Sequence, residues 1–390
     1  MGVRHNWNQL HQIKHLRPFN VKRLSLLILV TACLWGSTAI AQSNRELVPV
    51  QRTLGAESHL TASTSLADVD GDGDIDILFA EGRHWPQQNR IFLNNGEAIF
   101  NTVRHLGNEL TTSYAARTAD FDGDGDLDIV VGNDRVPNPV FWNDGQGHFE
   151  AGPDIGAPRT NTRNITVADV NGDEWPDIIV ANRNEPNTVH LNLHGRFDTG
   201  VVLGTGADAT IQVAAADFDN DGDLDLALAN REGQPNAIYW NDGDGTFSSS
   251  TAYGVGTDNT RGVTVGDFNN DGRVDLATGN IEQTNGIYLN TPDGFVAGPT
   301  FGPASDATFA LAAIDLDLDG NLDIVVGNAN ADNAAYFNDG NGRFVEQRFG
   351  EPGNVTYGLA AGDLNGDGYP EIVIANSGAP NILVLNNASQ

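Results

Sequence analysis

Asp120-Phe121-Asp122-Gly123-Asp124-Gly125-Asp126-Leu127-Asp128, followed at once by Ile129-Val130-Val131-Gly132-Asn133, is the stretch on which the fold turns. Acids at positions one, three, five and nine of a nine-residue loop repel one another unless a cation gathers them. Gly at position six permits a sharp turn. The β-branched run behind the loop reads as a strand buried on both faces. Half of an EF-hand looks similar. That motif, however, needs flanking helices and a Glu at position twelve, where the first such loop has Phe79 inside a strand-like run.

The loop recurs from Asp68, Asp169, Asp217, Asp267, Asp315 and Asp363, at intervals of 52, 49, 48, 50, 48 and 48 residues. That period suits a four-stranded propeller blade. Each repeat divides alike. A small-residue strand A precedes the loop, as in Ile165 to Asp169. The apolar strand B follows it, as in Asp323 to Asn328. Strand C is exemplified by Pro139 to Asn143 and ends in an Asn-Asp-Gly turn. Strand D opens at Phe149, Phe197, Phe247, Phe295 or Phe344. Strand A belongs nearest the axis, where crowding explains Ala119, Ala168, Ala216, Gly266 and Gly362.

The seventh repeat stops after strand C, at Asn381 to Asn386, while Leu47 to Gly55 is an orphan strand D. The expected fold is therefore all-β: a seven-bladed β-propeller of four-stranded blades, closed by the N-terminal strand completing the last blade.

Before that strand, Lys14, Arg17, Lys22 and Arg23 precede an uncharged run from Leu24 to Trp35, and Ala39-Ile40-Ala41 supplies a small-residue cleavage pattern. Residues 1–41 read as a signal peptide and 42–390 as one propeller domain. The protein is then secreted, periplasmic or at the cell surface, with no integral membrane span in the mature form. An uncleaved anchor and lipidation at Cys33 are the alternatives. Cys33 is the only cysteine, so the mature chain has no disulfide. Five of the 21 basic residues and none of the 52 acidic ones precede Gln42, so cleavage takes the formal charge from −31 to −36. Such a charge excludes nonspecific nucleic-acid binding and calls for counter-cations.

The expected metal ligands follow the loops: Asp68, Asp70, Asp72, Asp74 and Asp76; Asp120, Asp122, Asp124, Asp126 and Asp128; Asp169, Asn171, Asp173 and Asp177; Asp217, Asp219, Asp221, Asp223 and Asp225; Asp267, Asn269, Asp271 and Asp275; Asp315, Asp317, Asp319 and Asp323; Asp363, Asn365, Asp367 and Glu371. Hard oxygen donors at this spacing point to Ca²⁺, in six to seven structural sites. Loop three is expected to be the weakest, since Glu174 replaces the glycine and Asn171 an acid.

The repeats resemble the FG-GAP/VCBS family, also found in the integrin α-subunit propeller. The resemblance runs from about Leu47 to Asn387 and rests on loops such as 120–128. It implies a propeller used for adhesion, for lectin-like binding or as an accessory domain of surface enzymes, with a few lyase-like enzymes on similar scaffolds.

A binding face is expected at the end opposite the acidic loops. Six residues before each loop stand Ala62, Tyr114, Arg163, Ile211, Arg261, Phe309 and Tyr357, which should ring the channel mouth. The B–C loops add Arg83, Trp85, Arg135, Arg183 and Arg231. Arginines beside aromatics suit carbohydrate or carboxylate recognition; the alternative is that they cap the channel or pair with acids such as Glu185 and Glu232. Asn133, Asn182, Asn230, Asn280, Asn328 and Asn376, at the ends of strand B, read as loop caps. The expected function is a monomeric, non-catalytic binding or adhesion module for a glycan or cell-surface protein. The alternative is a polysaccharide lyase or sugar dehydratase. The six histidines after Gln42 follow no triad or zinc spacing.

Overall fold

The computed structural model describes residues 45–350 and 353–388; the expected leader, with Cys33 and Ala39-Ile40-Ala41, lies outside them. Among the described residues every regular element is a strand. None contains a helix long and apolar enough to cross a membrane.

Repeat two shows the common plan. Strand A is Ser113–Ala119, B Asp128–Asn133, C Asn138–Asn143 and D Phe149–Ile155. They form one antiparallel sheet in the order A-B-C-D, with Ala119 opposite Asp128, Ile129 opposite Phe141 and Asn143 opposite Phe149. Repeats three to six build four further four-stranded sheets in this order. The architecture is that of a β-propeller.

Repeats one and seven share a six-stranded sheet. Its link is Arg45–Ala67, whose first half pairs with Glu371–Ala388 (Leu47 opposite Asn386, Leu54 opposite Asn381). Its second half pairs with Asp76–Glu81 (Thr64 opposite Phe79).

Strand B is buried along its whole length in every repeat, as its unbroken apolar run requires. Its two faces feed different clusters. Ile165, Ile178 and Val180 of repeat three pack on Phe121, Val130 and Val140 of repeat two. Leu364, Val373 and Leu383 of repeat seven pack on Ile77, Phe79 and Phe92 of repeat one. Each fully buried Val, Leu, Ile or Phe contributes about 1.5–3 kcal/mol.

Strand A runs along a central channel of about 560 Å³, lined by Thr64, Arg117, Thr166, Gln212, Thr264, Ala312 and Ala360, among others. Small residues allow this crowding: a side chain on Gly358 of repeat seven would meet the Ser63 backbone of repeat one at 2.6 Å. Strand D departs from expectation in two repeats. Phe197 precedes its strand, Val201–Leu203, and makes an isolated bridge to Asn192; Phe247 precedes Ser249–Tyr253. The outermost strand has little to bury, so nothing holds its start in register.

Candidate functional site

Each acidic loop is the A–B turn. The position-one carboxylate shapes it: Asp68 accepts from Gly71 N and Gly73 N, both at 2.9 Å, and Asp120 accepts likewise from Gly123 N and Gly125 N. Positions four and six adopt left-handed backbone. Glycine fills position six in six loops; in loop three Glu174 adopts the same conformation at φ 69° and still donates to Asp169. At position four, Leu318 is held at φ 58°.

The position-two side chain (Val69, Phe121, Val170, Phe218, Phe268, Leu316 or Leu364) plunges into the cluster between repeats. Its N–H donates to the position-nine carboxylate at 2.8–3.1 Å in all seven loops. The other oxygen of that carboxylate accepts from the backbone N–H of the Asn closing strand C, at 2.7–2.9 Å in repeats one to six.

Burial pushes Asp76, Asp128, Asp177, Asp225 and Asp275 up to about 6 and Asp323 to about 7; Glu371 is also raised. Asp70, Asp122, Asp219 and Asp317, at position three, are raised by burial and by neighbouring carboxylates.

Positions one, three and nine converge. In loops one, two, four and six their carboxylate oxygens lie within 4.8 Å of one another: Asp68, Asp70 and Asp76; Asp120, Asp122 and Asp128; Asp217, Asp219 and Asp225; Asp315, Asp317 and Asp323. One oxygen each of Asp70 and Asp317 is buried without a hydrogen-bond partner. Crowded hard donors with orphaned oxygens fit a calcium ion. In loops three, five and seven position three is an amide: Asn171 and Asn269 donate to Asp173 and Asp271, and Asn365 donates to Glu371.

The remaining expected ligands stand apart from these triads. Position five (Asp72, Asp124, Asp173, Asp221, Asp271, Asp319, Asp367) accepts from the position-seven N–H of its own turn. Asp74, Asp126 and Asp223 lie against Gly96, Gly145 and Gly243 of the C–D turns.

The Asn closing strand C is a residue that sequence reasoning assigned only to a turn. In Asn94, Asn143, Asn192, Asn241, Asn290, Asn338 and Asn386 the side-chain NH₂ donates to the position-two carbonyl of the preceding repeat's loop, at 2.6–2.9 Å. It also donates to the position-eight carbonyl of its own loop at 2.9–3.2 Å. For Asn94 the preceding loop is that of repeat seven, through Leu364 O. The readable signal was recurrence at a near-constant offset from position nine.

At the other end, the strand-B asparagines close the B–C loops: Asn133 donates to Pro137 O and Asn182 to Pro186 O. Ala62, Tyr114, Arg163, Ile211, Arg261, Phe309 and Tyr357 line one cavity of about 100 Å³ at the channel mouth. Arg163 lies over Tyr114 at 4.1 Å and beside Asp134 at 3.4 Å. Tyr114 bonds His84 at 3.0 Å. Arg83 donates to Tyr357 at 2.6 Å and to Ser377 at 3.0 Å. Arg261 sits over Phe309 at 4.3 Å and Tyr357 at 4.5 Å.

The B–C arginines are spoken for. Arg135 faces Glu185 at 3.7 Å, Arg183 pairs with Glu232, and Arg231 donates to Asn259 at 3.1 Å. Trp85 is exposed.

Comparison with known proteins extends this geometry. The FG-GAP-like repeat matches residues 68–131, 120–180, 169–228, 217–278, 267–326 and 315–374. No curated protein matches the chain. A crystal structure of BBS1N in complex with ARL6DN, soaked with lead, aligns with a TM-score of 0.59 at 12% identity, over 87% of this chain and 97% of that one. The same complex soaked with mercury aligns with a TM-score of 0.59 at 15% identity, over 88% and 98%. At these identities the likeness is one of fold.

Proposed function

Because the chain belongs to the FG-GAP-like repeat family, we propose that it is an exported, calcium-binding module of adhesion type whose ligand, a glycan or a cell-surface protein, docks at the arginine–aromatic channel mouth. Residues 42–390 form one closed seven-bladed propeller in this reading, and residues 1–41 are its signal peptide. Closure is supported by the pairing of Leu47 with Asn386 and by the bond from Asn94 to Leu364 O, which repeats across the termini the link made inside the chain. Calcium is held by positions one, three and nine; when bound it neutralises the crowded carboxylates and fixes each A–B turn.

The observation that carries the binding reading is the convergence of seven dissimilar side chains on one mouth, including three aromatics and two arginines. The BBS1N structures, seen with ARL6DN, are a precedent for a propeller of this fold engaging a partner. A lyase reading draws on the Tyr114–His84 contact beside Arg163. Burial, however, raises the Tyr114 phenol further from neutrality, the wrong direction for a base. Binding therefore comes first.

The test is a glycan array and an envelope pull-down with calcium-loaded protein, beside Arg163→Ala and Arg261→Ala. Capture should need calcium and be lost in both variants without a lower melting temperature. A ligand that holds all three proteins equally would remove the mouth from the account; unsaturated sugar products would move it to the lyase reading.

A further inference from the structure

Arg261 is a half-buried cation with no acid beside it among the described residues. Its guanidinium rests on the faces of Phe309 and Tyr357, yet it makes no hydrogen bond or ion pair with any described residue, and its Nε is buried without a partner. Arg117, on strand A of repeat two, lines the same cavity. It donates only to Ser65 Oγ at 3.1 Å and to Ala116 O at 2.8 Å. Among the described residues, three arginines and no acidic side chain line this cavity. The third, Arg163, has Asp134 beside it. Burial lowers both guanidinia, Arg261 to about 10, which marks surroundings that disfavour their charge.

This is the reverse of the rest of the chain. Acidic residues outnumber basic ones 52 to 21, and the opposite end is crowded with carboxylates. A protein so rich in acids has nonetheless left two half-buried arginines without one among the described residues. A charge withdrawn in part from water calls for a partner, and the open space beside these two is where a ligand's charge can supply it.

We infer that the mouth cavity is a carboxylate subsite, in which Arg261 holds the acid group of the bound ligand and Arg117, on the same cavity wall, adds positive charge. The inference rests on the mouth being the binding face and specifies what that face reads. A planar carboxylate suits the arginine fork and fits a space of about 100 Å³ bounded by flat rings. Phe309 and Tyr357 fix the Arg261 plane, so the donors are oriented before the ligand arrives. Trp85, exposed two residues from the Arg83 that bonds Tyr357, offers an apolar surface at the rim for the uncharged part of the ligand.

The test uses the full calcium-loaded chain and four probes: galacturonate, its neutral parent galactose, N-acetylglutamate and sulfate. Each is titrated by calorimetry into the unaltered protein and into Arg261→Gln and Arg117→Gln. A carboxylate probe should bind at least tenfold more tightly than galactose, and each substitution should weaken it at least tenfold. Galacturonate alone would identify a uronate source, N-acetylglutamate alone an acidic peptide. Equal binding of galactose, binding of sulfate only, or no binding of either carboxylate would overturn the inference.

A second readout needs no ligand. Without any probe, Arg261→Met should melt at or above the temperature of the unaltered protein, because it removes an unpartnered charge; a lower temperature would make Arg261 a structural pin and overturn the subsite. If array ligands depend on Phe309 and Tyr357 but ignore Arg261→Gln, the binding face stands and the carboxylate subsite falls.

Discussion

The two ends of the channel treat the same repeated backbone in opposite ways. At the acidic end each repeat places nearly the same side chains in the same contacts. Position nine binds the same two N–H groups, and each strand-C Asn reaches the same carbonyl of its neighbour. At the mouth, equivalent positions carry Ala62, Tyr114, Arg163, Ile211, Arg261, Phe309 and Tyr357, which contact one another in ways no repeat shares. Sameness suits a task done once per repeat, which is joining it to the next. Difference suits a task done once per molecule, which in the proposed function is recognising one ligand.

The strongest way to break this contrast is to cut one link. Asn143→Ala strands two carbonyls at 2.8 and 2.9 Å and should cost about 2–4 kcal/mol in urea unfolding. Asn94→Ala should cost the same, since its link to Leu364 O has the same geometry. A markedly smaller loss at Asn94 would mean that repeats one and seven are not joined as the others are.

A second test is pH. In calcium-stripped protein the position-nine carboxyls sit above their ordinary value of 3.8, at about 6 and, for Asp323, about 7. The folded form therefore binds more protons than the unfolded form between those values. Stability from these groups is full below pH 4 and is lost as pH rises through 6 to 7. The metal-free melting temperature should fall from pH 4.5 to 7.5. With calcium it should rise over the same range, because the ligands must be deprotonated to hold the ion. Parallel slopes in a melting series with and without calcium would contradict this.

Smaller effects sharpen the contrast. Glu174 occupies a left-handed position filled elsewhere by glycine, so Glu174→Gly should stabilise the protein by about 1 kcal/mol in the same urea assay. At the other end Arg135 is 65% exposed and 3.7 Å from Glu185; Arg135→Ala should change stability by less than about 1 kcal/mol.

Much of the fold was legible because repeats average out local ambiguity. Strand B ends where the apolar run ends, at Asp128 and Asn133 and at Asp323 and Asn328. The mouth residues were legible because their offset from the loop never varies, and strand geometry carries that offset to the same end of every sheet. Strand D was least legible: its exposed faces leave no apolar pattern, so Phe197 looked like a strand start and is not one.

The strand-C asparagines were visible as residues but not as links, because they bond a loop about 70 residues earlier and nothing local records that. The arginines divide along the alternative that the sequence offered: Arg135 and Arg183 pair with the acids Glu185 and Glu232, whereas Arg261 meets only rings. Leu318 gave no sign of its left-handed backbone.

The most direct measurement is thermal melting of the purified chain after exhaustive chelation and again at millimolar calcium. With dissociation constants around 10⁻⁴–10⁻³ M, each occupied loop adds about 0.4–1.4 kcal/mol, so the four loops with carboxylate triads should together raise the melting temperature by several degrees, with magnesium far less effective. Superimposable melting curves in chelator and calcium would contradict the claim that these carboxylate triads hold ions that brace the sheets.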